Sequence, residues 1–208
     1  PCNPSTTSLA AADYDRDGLL DLFVCGYVQD DGGASIGAAN DRFVYHDARN
    51  GAPNSLFRNV GDLAFHDVTA STGLDQNNLR WSFAAAWEDY DNDGDQDLYV
   101  ANDFGRNNLY RNDSGRFTDI TAAAGAEDIS PGMSSCWGDY DNDGDLDLVV
   151  SSFATNRLYL NNGSGGFSDS GQSLGTASCL DLDSGDIDND GDLDLVFAHS
   201  ATPNRIWL

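Results

Sequence analysis

Four segments of the sequence align with one another without gaps. They are "DYDRDGLLDLFV" from Asp13, "DYDNDGDQDLYV" from Asp89, "DYDNDGDLDLVV" from Asp139 and "DIDNDGDLDLVF" from Asp186. In each segment Asp holds positions 1, 3, 5 and 9, Gly holds position 6 and Leu holds position 10. Such an internal repeat indicates copies of one supersecondary unit, each of which buries its apolar face against its neighbours.

A second motif follows each acidic segment. It reads "NSLFRN" from Asn54, "NNLYRN" from Asn107, "NRLYLN" from Asn156 and "NRIWL" from Asn204. The spacing from the ninth-position Asp to this Asn is 9 or 10 residues in the last three units but 33 in the first. The first unit therefore carries an insertion, at about 29–53, in a period of about 50 residues. We predict one domain, 1–208, with repeats at about 8–74, 80–126, 132–175 and 178–208, the last one truncated.

The second unit contains four short segments with strand character. They are 81–87, 97–101, 108–112 and 116–121, and acidic, Asn-rich or Gly-containing turns separate them. No stretch shows a helical period longer than one turn. The sequence therefore predicts an all-β fold, a β-propeller built from four-stranded antiparallel blades, with four blades in this chain.

The charge of the chain restricts its partners. Ten Lys and Arg stand against 35 Asp and Glu, so the formal charge is -25. Nucleic acid and anionic membrane surfaces would repel such a chain, and no apolar run is long enough for a membrane helix. The composition favours cations or basic partners.

The acidic segments have the chemistry of a calcium loop. Aspartates at alternate positions of a tight turn, with Gly at position 6 for a left-handed backbone, direct several oxygens to one point. Ca²⁺ accepts six to eight such oxygens, whereas Mg²⁺ requires a near-octahedral shell and retains water. In the second loop, Asp89, Asp91, Asp93 and Asp97 offer side-chain oxygens and Asp95 a backbone carbonyl.

Two other interpretations of these loops are weaker. An EF-hand loop requires Glu at position 12 between two helices, but position 12 here is Val or Phe and a strand follows. Solvated hairpin turns can also be acidic, but this explanation does not account for five positions that are fixed in four copies.

These motifs resemble the FG-GAP/VCBS repeats of integrin-type propellers. "GDYDNDGDLDL" followed by "NRLYLNNGSGGF" is similar to their ASPIC, cartilage-acidic-protein-like branch. The resemblance implies about four Ca²⁺, each in a loop between the first two strands of a blade. The implied side-chain ligands are Asp13, Asp15, Asp17 and Asp21; Asp89, Asp91, Asp93 and Asp97; Asp139, Asp141, Asp143 and Asp147; Asp186, Asp188, Asp190 and Asp194. Position 7, which offers its carbonyl, is Leu19, Asp95, Asp145 or Asp192. Arg16, at position 4 of the first loop, is expected to weaken that site.

The resemblance also implies a role in binding rather than catalysis. It is typical of a secreted, extracellular module for protein binding, adhesion or assembly, and the alternatives are a lectin-like propeller and an accessory domain of a secreted enzyme. The three histidines form no HExxH motif and no GxSxG elbow is present, so we expect no catalytic residues. Phe43, Tyr45 and His46 of the insertion form a candidate recognition patch, unless the insertion is only a covering hairpin. The four Trp are expected to pack between blades.

Three further features leave alternatives open. Four cysteines without CxxC spacing indicate one or two disulfides, or else buried free thiols. Asn112 and Asn162 begin N-glycosylation-type sequons. The truncated last blade has an open edge, which a longer propeller, the N-terminal residues of the chain or self-assembly with a second chain would cover.

Overall fold

The computed structural model describes residues 5–28 and 47–208. Within these ranges, consecutive strands pair in antiparallel fashion and form four separate sheets. The first three sheets have four strands and the fourth has three. The all-β, blade-like architecture predicted from the repeat is confirmed.

Each sheet contains one copy of the repeat. The first is formed by β1 (Thr6–Ala12), β2 (Asp21–Gly26), β3 (Ser55–Asn59) and β4 (Phe65–Asp67). The second is formed by β5 (Ser82–Glu88), β6 (Asp97–Asn102), β7 (Asn108–Asn112) and β8 (Phe117–Asp119). The third is formed by β9 (Gly132–Gly138), β10 (Asp147–Ser152), β11 (Arg157–Asn161) and β12 (Phe167–Asp169), and the fourth by β13 (Cys179–Gly185), β14 (Asp194–His199) and β15 (Arg205–Trp207).

One-turn helices follow two of the sheets, α1 (Thr69–Thr72) and α2 (Thr121–Ala124). Each begins at a Thr whose hydroxyl contacts the Asp two residues earlier and ends at a left-handed Gly, Gly73 or Gly125. These helices are absent from our strand-based prediction, although the sequences "DVTASTG" and "DITAAAG" carry the Thr and Gly signals of a helix start and stop. Neither helix of the described ranges has the length and apolarity needed to cross a membrane.

The core lies between the sheets. The first strands of successive sheets neighbour one another, β1 beside β5, β5 beside β9 and β9 beside β13, and an apolar cluster fills each interval. Within the described residues, β13 and β1 do not pack extensively as the other neighbouring first strands do, so the four sheets do not close into a ring. Every blade is thus held mainly by burial of its apolar faces against adjacent blades.

Three tryptophans pack between blades, as predicted. Trp87 packs between the first and second sheets, Trp137 between the second and third, and Trp207 between the third and fourth. Trp137 stacks on Tyr90, with ring centroids 6.0 Å apart. These rings stabilise the blade interfaces.

The end of the insertion packs on the second sheet. Asp47 forms an ion pair with the buried Arg80, and Trp81 donates a hydrogen bond of 3.1 Å from Nε1 to Oδ1 of Asn50. The Gly51 amide donates to the carbonyl oxygen of Leu79 at 3.2 Å. The candidate recognition residues Phe43, Tyr45 and His46 lie outside the described residues.

The cysteines and one sequon differ from expectation. Cys25, Cys136 and Cys179, which lie in the first, third and fourth sheets, are free thiols, so the disulfide prediction is wrong for these three. Cys2 lies outside the described residues. Asn112 is fully buried and its side chain is hydrogen-bonded, which leaves no room for a glycan, whereas Asn162 is exposed.

Candidate metal sites

Each acidic loop connects the first two strands of its sheet and turns twice through left-handed backbone. Position 4 has a φ of 58° at Arg16, 57° at Asn92, 60° at Asn142 and 63° at Asn189. Position 6 is always a positive-φ Gly, as predicted; Gly94, for example, has a φ of 89°. The paired turns wrap the loop around its own carboxylates, and Asn suits position 4 because it tolerates this conformation.

The structure brings three carboxylates of every loop together. One oxygen from each lies within 4.8 Å of the other two. The groups are Asp13, Asp15 and Asp17; Asp89, Asp91 and Asp97; Asp139, Asp141 and Asp147; Asp186, Asp188 and Asp194. Positions 1, 3 and 9 thus converge in the last three loops, whereas positions 1, 3 and 5 converge in the first.

The Asp at position 9 also joins the loop to the third strand. In the second loop, Asp97 is fully buried and accepts hydrogen bonds from the amides of Asn112 at 2.7 Å and Tyr90 at 3.3 Å. Asp147 accepts the equivalent bonds from Asn161 and Tyr140 at 2.8 and 3.0 Å. This structural role has no separate signal in the sequence beyond the fixed position itself.

The Asp residues at positions 1 and 5 support the turn. Asp89 accepts a hydrogen bond of 2.9 Å from the Gly94 amide, and Asp93 accepts one of 2.7 Å from the Asp95 amide. The same contacts recur at the Asp139 and Asp143 carboxylates. Backbone amides therefore hold the loop carboxylates in place.

The side chains at position 7 point to neighbouring segments. Asp95 accepts a hydrogen bond of 2.8 Å from the Ser114 amide, and Asp192 accepts one of 3.0 Å from the Asn142 amide group. These side chains do not belong to the convergent groups. Coordination by the position-7 carbonyls of Leu19, Asp95, Asp145 and Asp192 stays a prediction.

Burial and the crowding of negative charges disfavour ionisation of the aspartate side chains in these loops. Burial raises the pKa of Asp97 to about 8, and the charges of Asp91 and Asp93 add to this effect, while the Asn112 amide opposes it. Burial is also the largest cause of the raised pKa values of Asp21, Asp91 and Asp147. A bound cation would relieve both effects, because it compensates the lost hydration and the mutual repulsion.

Two carboxylate oxygens have the environment expected of a metal ligand. Oδ1 of Asp15 and Oδ1 of Asp89 are buried, and each lacks a hydrogen-bond partner within the described part of the chain. Buried polar atoms are normally paired, so an orphaned acceptor inside a group of carboxylates fits a cation. The donor set consists of hard oxygens, which is the class that Ca²⁺ prefers.

An Asn at the end of β7 and an Asn at the end of β11 join neighbouring loops. Asn112 donates to the carbonyl oxygens of Tyr14, in the first loop, and Gln96, at 2.9 and 3.1 Å. Asn161 likewise donates to Tyr90, in the second loop, and Leu146. The first and second loops are thereby each tied to the following blade.

Two arginines contact the loops. Arg16 does not lie on the carboxylates of its own loop but extends to the second loop, where Nη2 is 2.8 Å from Oδ1 of Asp95 and 3.3 Å from the carbonyl oxygen of Asp93. Arg58 instead lies on the first loop, with Nε 2.7 Å from Asp15 and Nη2 2.9 Å from Asp17. Its guanidinium lowers the pKa of Asp17. Sequence reasoning named Arg16 as the cation beside the first site and missed Arg58.

Among solved structures, similarity is confined to the fold. A chain of the crystal structure of BBS1N in complex with ARL6DN, soaked with lead, matches with a TM-score of 0.51 and 12% identity over 95% of this chain and 49% of that chain. A lectin of Agrocybe aegerita, in a structure that describes recognition of non-reducing terminal N-acetylglucosamine, matches with a TM-score of 0.41 and 17% identity over 93% of this chain and 60% of that one. This chain thus spans about half the length of the first matched chain.

Sequence comparison identifies the family. No curated protein matches the sequence significantly. The sequence profile described as FG-GAP-like repeat matches residues 89–150 and 139–197, which together cover more than half of the chain. These residues contain the second, third and fourth acidic loops, the same motifs that form the convergent carboxylate groups. The chain therefore belongs to the FG-GAP-like repeat family.

Proposed function

We propose that this chain is a calcium-binding β-propeller module that acts outside the cell in binding or structural assembly. The observation that carries the proposal is the recurrence of one convergent group of three carboxylates in each of the four loops. Calcium is proposed to bind all four loops, at positions 1, 3, 5 and 9, with the position-7 carbonyl completing the set.

Bound calcium would offset part of the negative charge of this fold. Four ions would change the formal charge from -25 to -17. Each loop joins two strands, and in the first three loops the position-9 Asp also contacts the third strand, so an ion bound there would stabilise most of a blade. An ion that binds only the folded chain stabilises it by mass action, by about 2.7 kcal/mol per site at a free concentration 100 times Kd.

A binding role without chemistry of its own agrees with the composition of the sites. The loop aspartates are accounted for as calcium ligands and as acceptors of backbone amides. His199, in the described part of the chain, stacks on Phe197 and contacts the carbonyl oxygen of Pro203 rather than a nucleophile. Ca²⁺ is available to binding modules outside the cell, and FG-GAP-like repeats are typical of extracellular proteins, which supports action outside the cell. The proposed ligand is a protein or a glycan.

Calorimetric titration and thermal unfolding test the calcium proposal. We expect Ca²⁺ to bind at several sites and to raise Tm, EDTA to reverse the rise, and Mg²⁺ at equal concentration to have a much smaller effect. The double variant Asp139→Asn with Asp141→Asn should lose one binding site, because it removes two convergent carboxylates of the third loop.

A control variant at a carboxylate outside the loops separates coordination from general charge. Asp62→Asn removes a carboxylate from an exposed turn outside the loops, at a φ of 52° that Asn tolerates, and should leave the number of bound ions unchanged. The proposal is wrong if Tm and the heat of titration do not respond to Ca²⁺, or if the control and the loop variant behave alike.

A further inference from the structure

Arg58 places a positive charge on the first acidic loop. Its guanidinium spans two of the predicted ligands, with Nε 2.7 Å from Oδ2 of Asp15 and Nη2 2.9 Å from Oδ2 of Asp17. Both aspartates belong to the convergent group of this loop. The other loops have no arginine that bridges two members of their convergent groups in the described part of the chain.

The sequence explains why Arg58 makes this contact and Arg111 does not. The two residues hold the same place, the fifth position of "NSLFRN" and "NNLYRN". Arg111 pairs with Asp113, two residues further on, at 2.9 Å. After Arg58 the corresponding residue is Val60, which offers no carboxylate, so the guanidinium turns to the first loop.

An arginine and a calcium ion compete for the same carboxylates of the first loop. A carboxylate oxygen that forms a close ion pair with a guanidinium is not free to enter the coordination shell of a divalent ion, and two cations near one loop repel each other. Arg58 is about two-fifths exposed and can leave the loop, but binding of Ca²⁺ must then replace two ion pairs. Exposed pairs contribute modestly, so the expected penalty for calcium affinity is about tenfold.

We propose that Arg58 is a resident competitor of calcium, which makes the first loop the weakest of the four calcium sites. This inference rests on the proposed calcium function. Arg58 neutralises the first loop when calcium is scarce, so this blade depends less on the ion than the others do. The first loop would then fill last as calcium rises.

Calcium titration of matched variants tests the inference. Arg58→Gln should raise the affinity for Ca²⁺ in the weakest of the four binding steps about tenfold. Val60→Asp should act in the same direction, because it gives Arg58 the partner that Arg111 has in Asp113, and Val60 is sufficiently exposed to accept the change. Arg111→Gln removes the same charge from the equivalent position and should change no step by more than about threefold. In Asp13→Asn the weakest step should disappear, which assigns that step to the first loop.

Thermal unfolding provides a readout that does not depend on that assignment. In EDTA, Arg58→Gln should lower Tm, because the first loop loses its compensating charge. In saturating Ca²⁺ the difference from the unchanged protein should vanish or reverse. An equal loss of Tm in both buffers would show that Arg58 has only a structural role and would overturn the inference.

The two proposals fail in distinguishable ways. Absence of calcium binding in every variant would overturn both. Four calcium steps that Arg58→Gln and Val60→Asp leave unchanged would overturn the competition by Arg58 alone and would leave the calcium-binding function intact.

Discussion

The Asn residue that joins neighbouring blades allows a quantitative test of how the repeats cooperate. Asn112→Ala removes the hydrogen bonds from Nδ2 to Tyr14 and Gln96 and the bond from the Gly115 amide to Oδ1. At about 1 kcal/mol for each bond, and more for a carbonyl left unpaired in a buried site, the expected loss is about 3 kcal/mol.

Asn59 provides a matched control, because it holds the same position in the first sheet. It makes two bonds, to the Leu20 carbonyl oxygen and from the Gly61 amide, and both lie near the surface within its own blade. Asn59→Ala should therefore cost only about 1 kcal/mol. Urea unfolding in saturating calcium, followed by tryptophan fluorescence, measures both. If the two variants differ by less than about 0.5 kcal/mol, the bond between blades contributes nothing and the reasoning is wrong.

The structure also determines whether two further changes, a substitution and a change of pH, raise or lower the stability of the fold. Gly51→Ala would place a Cβ only 2.0 Å from the carbonyl oxygen of Arg80, so we expect the free energy of unfolding to fall by about 2 kcal/mol and proteolysis near 47–53 to become faster. Gly185→Ala is the control, because its Cβ would meet no atom within 4 Å and the change should be nearly neutral. Equal urea midpoints for the two variants would contradict this prediction. In EDTA, the free energy of unfolding should fall as pH rises from about 4 to about 8, because the folded pKa of Asp97 lies above its unfolded value and the folded state binds the extra proton. Asp97→Asn should flatten this part of the pH profile, and a profile unchanged by that substitution would exclude Asp97 as its source.

The parts of the fold that depend on local sequence could be predicted. Turn residues and alternation located the strands of the second unit to within two residues, since each strand is short and bounded by its own turn. The fixed Gly at position 6 predicted a left-handed backbone, and Gly94 has it. The tryptophans of the strand segments predicted packing between blades because large apolar rings are normally buried where neighbouring elements meet.

Features that depend on distant partners could not be predicted. The bond from the Asn112 amide to Asp97 requires the register of two strands and a loop 15 residues away. The disulfide expectation used only the number and spacing of cysteines, which do not determine which thiols meet in the fold, and Cys25, Cys136 and Cys179 are free. The contact of Arg58 with the first loop depends on Val60, a residue outside every repeated position.

The Asn residues between blades have a consequence for how this chain evolves and unfolds. The repeat of about 50 residues is the unit that duplication copies, but the second and third copies each lend an Asn side chain to the loop of the copy before them. A loop therefore opens fully only when the next blade also yields, so amide hydrogens of adjacent loops should exchange together. Duplication thus copies one blade at a time, whereas local unfolding involves at least two blades together.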